Sequence, residues 1–156
     1  RAGALVGAAG LSALLLLWRP GAGFAALGPA AGALPRGSRA RRFAVQECKG
    51  ESFVDEAITG TAQGMPNVLV LSFSTTWCGP CKLMDPKVAE LSKAFESQAR
   101  FIKIIGDKDP DGMQLMKRDG VRSVPQYHVY KEGKLVASIS GAKYDELLHA
   151  IEEHTA

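Results

Sequence analysis

Hydrophobic residues downstream of residue 43 form two kinds of pattern, uninterrupted runs and helical spacings. The runs NVLVLSFS (67–74) and RFIKIIG (100–106) are typical of strands that are buried on both faces of a sheet. The segment VRSVPQYHVYKEGKLVASIS (121–140) predicts two more strands, joined as a hairpin by a Glu-Gly turn. FAVQE (43–47) indicates a short first strand. The sequence therefore predicts five strands.

Helical spacings lie between these strands. Ser52, with Asp55 three residues later, predicts the start of a first helix, and Gly60 predicts its end. The inner face of the second helix is predicted from four apolar residues: Leu83, Val88, Leu91 and Phe95.

Two more helices complete the pattern, a short one within DPDGMQLMKRDG (109–120) and an amphipathic one in AKYDELLHAIEEH (142–154). The inner face of the last helix is predicted to hold Leu147, Leu148 and Ile151. The order β-α-β-α-β-α-β-β-α places helices on both faces of a mixed sheet. The sequence thus predicts an α/β fold with three layers, α/β/α, around a central mixed β-sheet.

The positive charge of the chain is concentrated near its start. The 156 residues carry a formal net charge of +3, but residues 1–46 contain six arginines and no acidic residue. The other 13 Lys and Arg residues oppose all 16 Asp and Glu residues, a balance of −3 for the remainder. Nucleic acid is therefore not expected as a partner, because the net charge of the remainder is negative.

Residues 1–42 have the composition of a targeting leader. The uncharged stretch from Ala2 to Trp18 predicts the core of a secretory signal, and small residues before Phe24 offer a cleavage site. A membrane anchor is the alternative, since a span needs about 17–25 apolar residues. FAALGPAAGALPRGSRARRFAVQ (24–46) is rich in Arg and Ala, as transit peptides are.

Two such signals in tandem resemble the bipartite leaders of algae whose plastids have extra membranes. The leader accordingly predicts import into a plastid, with a mitochondrion or the secretory pathway as alternatives. A disordered tail without an address is a further interpretation. In each case residues 1–42 are expected to be removed or to stay outside the fold, and residues 43–156 form the domain. Contact with a membrane is expected only through an uncleaved leader.

The segment WCGPCK (77–82) carries the candidate chemistry. A spacing of three brings the sulfurs of Cys78 and Cys81 to one edge of a helix, where a disulfide can form. The positive end of that helix stabilises a thiolate at Cys78, which makes Cys78 the better nucleophile and leaves Cys81 to resolve the mixed disulfide. No metal is expected, because zinc needs four ligands and only Cys48 and scattered histidines remain. A structural disulfide closing so small a loop would stabilise little.

The residues WCGPCK, VRSVPQ (121–126) and the Gly-Ala pair at 141–142 closely resemble the thioredoxin family, over residues 43–154. The resemblance implies that Pro125 follows a cis peptide bond and faces the cysteines, and that the backbone of Val124 pairs with an extended client. It also implies a client-binding groove bordered by Trp77, Gly79, Pro80, Gly141 and Ala142. Each of three residues also has an alternative interpretation: an ordinary turn or edge-strand proline for Pro125, core packing for Trp77 and a turn glycine for Gly141.

One position departs from the family pattern. Where the family usually has a buried Asp that helps to move the proton of the resolving cysteine, this chain has Ser72. Lys103 matches the family's lysine near that Asp, and is expected to lack its usual partner. Ser72 and Lys103 are therefore candidate proton-relay residues, while a strand lysine reaching water is the alternative for Lys103.

The resemblance implies a dithiol–disulfide oxidoreductase that reduces disulfides in client proteins. It implies no bound cofactor beyond the redox-active Cys78–Cys81 disulfide, a monomer, and a separate thioredoxin reductase that supplies electrons. Gly-Pro between the cysteines favours reduction over oxidation. A disulfide-forming protein of the secretory pathway and a non-catalytic interaction subunit of the same fold are the alternatives. Cys48 is expected to be a half-buried spectator thiol.

Overall fold

The computed structural model describes residues 44–63 and 66–156. Within these residues lie five strands and four helices, in the predicted order. The elements are β1 (Gln46–Glu47), α1 (Glu51–Ala62), β2 (Val68–Ser74), α2 (Gly79–Ala94), β3 (Ala99–Ile105), α3 (Pro110–Arg118), β4 (Gln126–Lys131), β5 (Lys134–Ser140) and α4 (Tyr144–Thr155). The predicted leader and Phe43 lie outside the described residues. No helix in the described part of the chain is long and apolar enough to cross a bilayer.

The strands form one mixed sheet in the order β1-β3-β2-β4-β5. β1 and β2 run parallel to β3, whereas β4 is antiparallel to β2 and β5 is antiparallel to β4. All seven residues of β2 are buried, as the uninterrupted apolar run predicts for a central strand. The mixed sheet is therefore confirmed.

Helices cover both faces of this sheet. On one face, α2 and α4 pack against β2 and β4 through side chains that include Val88, Leu91, Leu147 and Ile151. On the other face, α1 and α3 contribute Val54, Ala57 and Leu115. Alternate residues of β2 enter the two clusters, because successive side chains of a strand point to opposite faces. The predicted three-layer α/β/α architecture is confirmed.

The predicted ends of the first helix were wrong. Helix α1 begins at Glu51 after Gly50, whose φ of 117° is readily adopted by glycine, and no side chain caps this end. Ser52 lies inside the first turn and is exposed. The helix also continues through Gly60 to Ala62, since a single helical glycine costs only about 1 kcal/mol.

The predicted inner face of the second helix was wrong at Leu83. This side chain is 74% exposed, while Met84 is buried. A step of five residues from Leu83 to Val88 turns the helix by about 140° beyond a full turn, so the two side chains cannot share one face. Met84, four residues before Val88, lies on the buried face instead.

The hairpin of β4 and β5 has the predicted Glu-Gly turn. Glu132 and Gly133 have φ values of 53° and 75°, which is the geometry of a two-residue turn that matches the twist of the strands. The Gly133 N–H donates to Thr61 Oγ1 at 2.7 Å, so the end of α1 holds this turn.

Candidate active site

The two cysteines lie where β2 meets α2. Cys78 is the N-cap of α2, and the Cys78–Cys81 disulfide has an S–S distance of 2.03 Å and a Cα–Cα distance of 5.3 Å. Cys78 Sγ also accepts a hydrogen bond from the Cys81 N–H at 3.2 Å. The site therefore lies at the positively polarised end of a helix of 16 residues.

Local sequence favours this helix start. Gly79 and Pro80 occupy its first positions, where the missing N–H of proline costs nothing because those groups have no partner within a helix. Both residues are exposed. Cys78 and Cys81 are each only 3% exposed, so the disulfide is almost fully covered by its surroundings.

The loop before β4 lies beside the cysteines. The Val124–Pro125 peptide bond is cis. Strand register pairs Phe73 with Gln126, so Pro125 lies next to the end of β2 from which the cysteine loop leaves. The Gly141 N–H donates to the Pro125 carbonyl at 2.8 Å. The structure thus brings the cysteine loop, Pro125 and Gly141 to one edge of the sheet.

Two residues predicted to border a groove, Trp77 and Ala142, are exposed, and a third, Gly141, is half-buried with open space beside it. Trp77 is 73% exposed, which excludes core packing for this side chain. Gly141 has a φ of 92° and nothing within 4 Å of the place where a Cβ would stand. Ala142 is exposed, whereas Val124 is half-buried and Pro125 is buried.

Asp107 binds the loop that carries Trp77 and Cys78, a contact that was not predicted from the sequence. Its carboxylate accepts from the Thr76 N–H at 2.8 Å and from the Thr76 hydroxyl, and these bonds lower the pKa of Asp107. Asp107 follows β3 and Thr76 follows the parallel strand β2, so the two carboxyl ends meet. That parallel pairing is the sequence signal that could have placed Asp107 beside the loop of Trp77 and Cys78.

Four side chains form a polar row across the sheet, Glu47, Lys103, Ser72 and Tyr127, each paired in register with the next. Ser72 is buried at 7% exposure. Lys103 does not lack a partner, which corrects the expectation from sequence: its Nζ donates to Asp85 Oδ1 at 2.6 Å. Nor does it simply reach water, because its side chain is only 21% exposed. The position on β2 where the family usually has a carboxylate is Ser72, whereas the carboxylate that binds Lys103 lies on α2.

The negative charge of Asp85 acts on Tyr127 in the polar row. Burial, and after it the negative charge of Asp85, raise the pKa of Tyr127 to about 12, against the opposing effect of a hydrogen bond with Ser72. A cavity of about 430 Å³ lies beside the row and is lined by both Ser72 and Asp85.

Cys48 lies away from the pair. It is a half-buried free thiol, as expected, and its Sγ interacts with the backbone of Gly50. Burial raises the pKa of Cys48, so it is mainly a neutral thiol at pH 7. Among the described residues, no group of three or more His, Cys, Asp or Glu side chains lies close enough to hold a metal ion.

The fold and the site together define a class of protein: a three-layer α/β protein with a Cys-x-x-Cys disulfide at the amino end of a helix, beside a cis-proline loop. The family model for thioredoxin matches residues 46–153. The chain belongs to the thioredoxin family.

Individual relatives agree with this assignment. Chloroplastic thioredoxin F of Oryza sativa subsp. japonica is 44% identical over 87 residues, which cover 56% of this chain and 45% of that protein. Chloroplastic thioredoxin F2 of Arabidopsis thaliana is 42% identical over 85 residues, which cover 54% of this chain and 44% of that protein. The matched segment thus spans about half the length of these curated relatives.

Solved structures resemble the chain over a larger share of its length. The short form of thioredoxin f from spinach chloroplasts matches with a TM-score of 0.62 and 32% identity, over 72% of this chain and 95% of that one. A chain from the complex of ferredoxin:thioredoxin reductase with thioredoxin f2 matches with a TM-score of 0.61 and 33% identity. The match covers 73% of this chain and 97% of that one.

Proposed function

We propose that this chain is a protein disulfide reductase of thioredoxin type that works in a plastid. The observation that carries the proposal is the Cys78–Cys81 disulfide at the amino end of α2, with Pro125 and Gly141 at the same edge of the sheet. The similarity to chloroplastic thioredoxins F supports both the activity and the plastid.

The reaction transfers two electrons from the reduced cysteine pair to a client disulfide. The Cys78 thiolate attacks one client sulfur, the client S–S bond breaks, and one client thiolate leaves. The Cys81 thiolate then attacks the Cys78 sulfur, so that the second client thiolate leaves and the Cys78–Cys81 disulfide forms. The cysteine pair is oxidised and the client is reduced, without a bound cofactor.

The residues around the pair supply the client groove. The exposed rings of Trp77 and Pro80 provide apolar contact, and the Gly79, Gly141 and Ala142 backbones leave room for an extended segment. The half-buried Val124, just before the cis bond, offers backbone groups to that segment as a neighbouring strand would. Client proteins are therefore recognised mainly through their backbone next to a disulfide, and one copy of the chain suffices.

A separate reductase returns the pair to its dithiol form. The solved complex of a similar thioredoxin f2 with ferredoxin:thioredoxin reductase supports a partner of that kind for this chain. Residues 1–42 serve as the targeting leader, with the domain beginning at Phe43. A fusion of residues 1–42 to a fluorescent protein tests this address: accumulation in plastids supports it, and mitochondrial or secretory location contradicts it.

Insulin reduction tests the activity. The reduced full-length protein should catalyse precipitation of insulin chains, and Cys78→Ser should abolish that catalysis. Binding of insulin without turnover by the unmodified protein would favour a non-catalytic interaction subunit instead. The reduction potential of the cysteine pair separates reduction from disulfide formation. A value near about −270 mV, as in thioredoxin, supports reduction, and a value near about −120 mV supports disulfide formation.

A further inference from the structure

Resolution of the mixed disulfide requires that the Cys81 thiol lose its proton. Cys81 is 3% exposed and lies inside the first turns of α2, so bulk water has little access to it. A thiol in such surroundings keeps its proton unless a nearby base accepts it, because burial disfavours the thiolate. Ser72 is the member of the polar row on the central strand β2. It is buried, and its hydroxyl does not ionise near neutral pH.

Other groups around the polar row are poor bases. Tyr127 has a pKa of about 12, so it holds its own proton. Glu47 is exposed and bonded to Lys108, which lowers its pKa. Lys103 and Lys93, which also line the cavity, carry ammonium groups, which donate hydrogen bonds and have no lone pair to accept a proton.

Asp85 is placed differently. It lies four residues after Cys81 on α2, and residues with this spacing are neighbours on one side of a helix. Lys103 binds its Oδ1 at 2.6 Å and stabilises the carboxylate, which leaves lone pairs on both oxygens for further hydrogen bonds. The side chain is 43% exposed, so a proton that it accepts can pass on to solvent.

A cavity joins Asp85 to the buried end of the polar row. Its volume of about 430 Å³ is far more than one water molecule requires, and its walls include Ser72, Asp85 and Lys103. A hydroxyl, a carboxylate and an ammonium provide the two to four polar partners that an ordered water needs. Water in this cavity can therefore bridge Ser72 and Asp85, and Asp85 lies about one helical turn after Cys81.

We propose that Asp85 accepts the proton of Cys81, through water in this cavity, when Cys81 resolves the mixed disulfide. Lys103 and Ser72 orient the carboxylate and the water. This role rests on the proposed function. The proton leaves Cys81 Sγ for water and then Asp85, the resulting thiolate attacks Cys78 Sγ, and the client thiolate leaves. The two electrons come from the dithiol, so no other oxidant or reductant takes part.

Single-turnover kinetics test the role of Asp85 in the full-length protein. The reduced protein reacts with a peptide pair joined by one disulfide, and acid quenching follows the formation and decay of the mixed disulfide. Asp85→Asn should slow the decay at pH 7 by about a hundredfold, the lower end of the range for general acid–base catalysis, and leave formation unchanged. Asp85→Glu keeps a carboxylate and should keep most of the rate. Glu47→Gln, which removes a carboxylate from the same cavity, is the matched control and should decay as the unmodified protein does.

The pH profile separates proton transfer from a structural effect. Without Asp85, decay depends on free Cys81 thiolate, whose fraction rises about tenfold per pH unit below the pKa of the thiol. The ratio of unmodified to Asp85→Asn rates should therefore be largest at the lowest pH and fall steadily as the pH rises. Adding Ser72→Asp to Asp85→Asn should restore decay at pH 7, because a carboxylate then lies beside Lys103 again.

Two results would overturn the inference. Equal decay rates for Asp85→Asn and the unmodified protein, or a loss that is the same at every pH, exclude proton acceptance by Asp85. The Cys81→Ser variant distinguishes this failure from failure of the proposed function. If that variant traps a mixed disulfide with the peptide, Cys78 is a nucleophile and only the role of Asp85 is rejected. If it traps none, the reductase function is wrong and the role of Asp85 falls with it.

Discussion

Cys78 and Cys48 differ in what surrounds their sulfurs, and this difference predicts their reactivity. After reduction, Cys78 should be alkylated by iodoacetamide at pH 7 before Cys81 and Cys48. The unpaired N–H groups at the start of α2 stabilise the Cys78 thiolate, whereas burial raises the pKa of Cys48. Mass mapping after brief treatment measures the order, with Cys48→Ser as the control. Earlier alkylation of Cys48 would contradict the choice of nucleophile.

Gly141 is a second residue whose environment leads to a prediction. Gly141→Val should raise the KM for insulin by about tenfold, since the new side chain fills the groove and removes roughly 1.4 kcal/mol of binding. It should also cost about 1–2 kcal/mol of stability, because a φ of 92° disfavours a Cβ.

The matched control for Gly141→Val is Gly120→Val. Gly120 also has a positive φ, 66°, and open space around it, but it lies in the turn after α3. This variant should lose similar stability in urea unfolding and keep its KM. An equal rise in KM for both variants would mean that Gly141 is only a turn glycine.

At the scale of elements, one side chain joins α1 to the β4–β5 hairpin. Thr61 is buried, and its hydroxyl accepts the Gly133 N–H at 2.7 Å. Thr61→Val keeps the shape but leaves this N–H without an acceptor, so it should cost about 1–3 kcal/mol of unfolding free energy. Urea unfolding measures the loss. Thr59→Val, at an exposed position of the same helix, is the control and should change the unfolding free energy by less than about 0.5 kcal/mol. A similar loss in both variants would mean that the lower helix propensity of valine, and not the lost hydrogen bond, is the cause.

Elements were more predictable than their ends and faces. Strands β2 and β3 could be predicted because a strand that is buried on both faces needs an unbroken apolar run. The hairpin could be predicted because its two-residue turn needs two positive φ values, which Glu-Gly provides. The start of α1 was missed because Gly50 ends the preceding loop through backbone conformation, without a capping side chain.

The candidate site shows the same division between local and long-range information. The cysteine pair and the cis-proline loop are local sequence patterns, and the structure has both. The contact between Lys103 and Asp85 joins residues 18 apart, and depends on how α2 crosses β3. Such tertiary contacts leave no mark in the spacing of apolar residues, so the carboxylate could not be placed from the sequence.

For the whole molecule, we expect residues 1–42, the proposed leader, to add little to the stability of the domain. These residues contain no acidic residue and little apolar periodicity after Trp18, a composition that does not favour packing on a folded domain. Deletion of residues 1–42 should shift the thermal midpoint by less than about 4 °C, the change that 1 kcal/mol produces in a domain of about this size. Calorimetry of the full and shortened chains measures the shift, and a large fall in midpoint would mean that the leader docks on the domain.

The central position of β2 has a consequence for how the molecule opens. Both edges of β2 are hydrogen-bonded to neighbouring strands and both faces are covered by helices, so its amides have no local route to solvent. Their exchange with deuterium should require unfolding of the entire domain, at a rate that reports global stability. The exposed Thr76 and Trp77, a few residues further on, lie outside that protection. The loop that carries the disulfide therefore leaves the sheet at the strand for which we expect the slowest exchange.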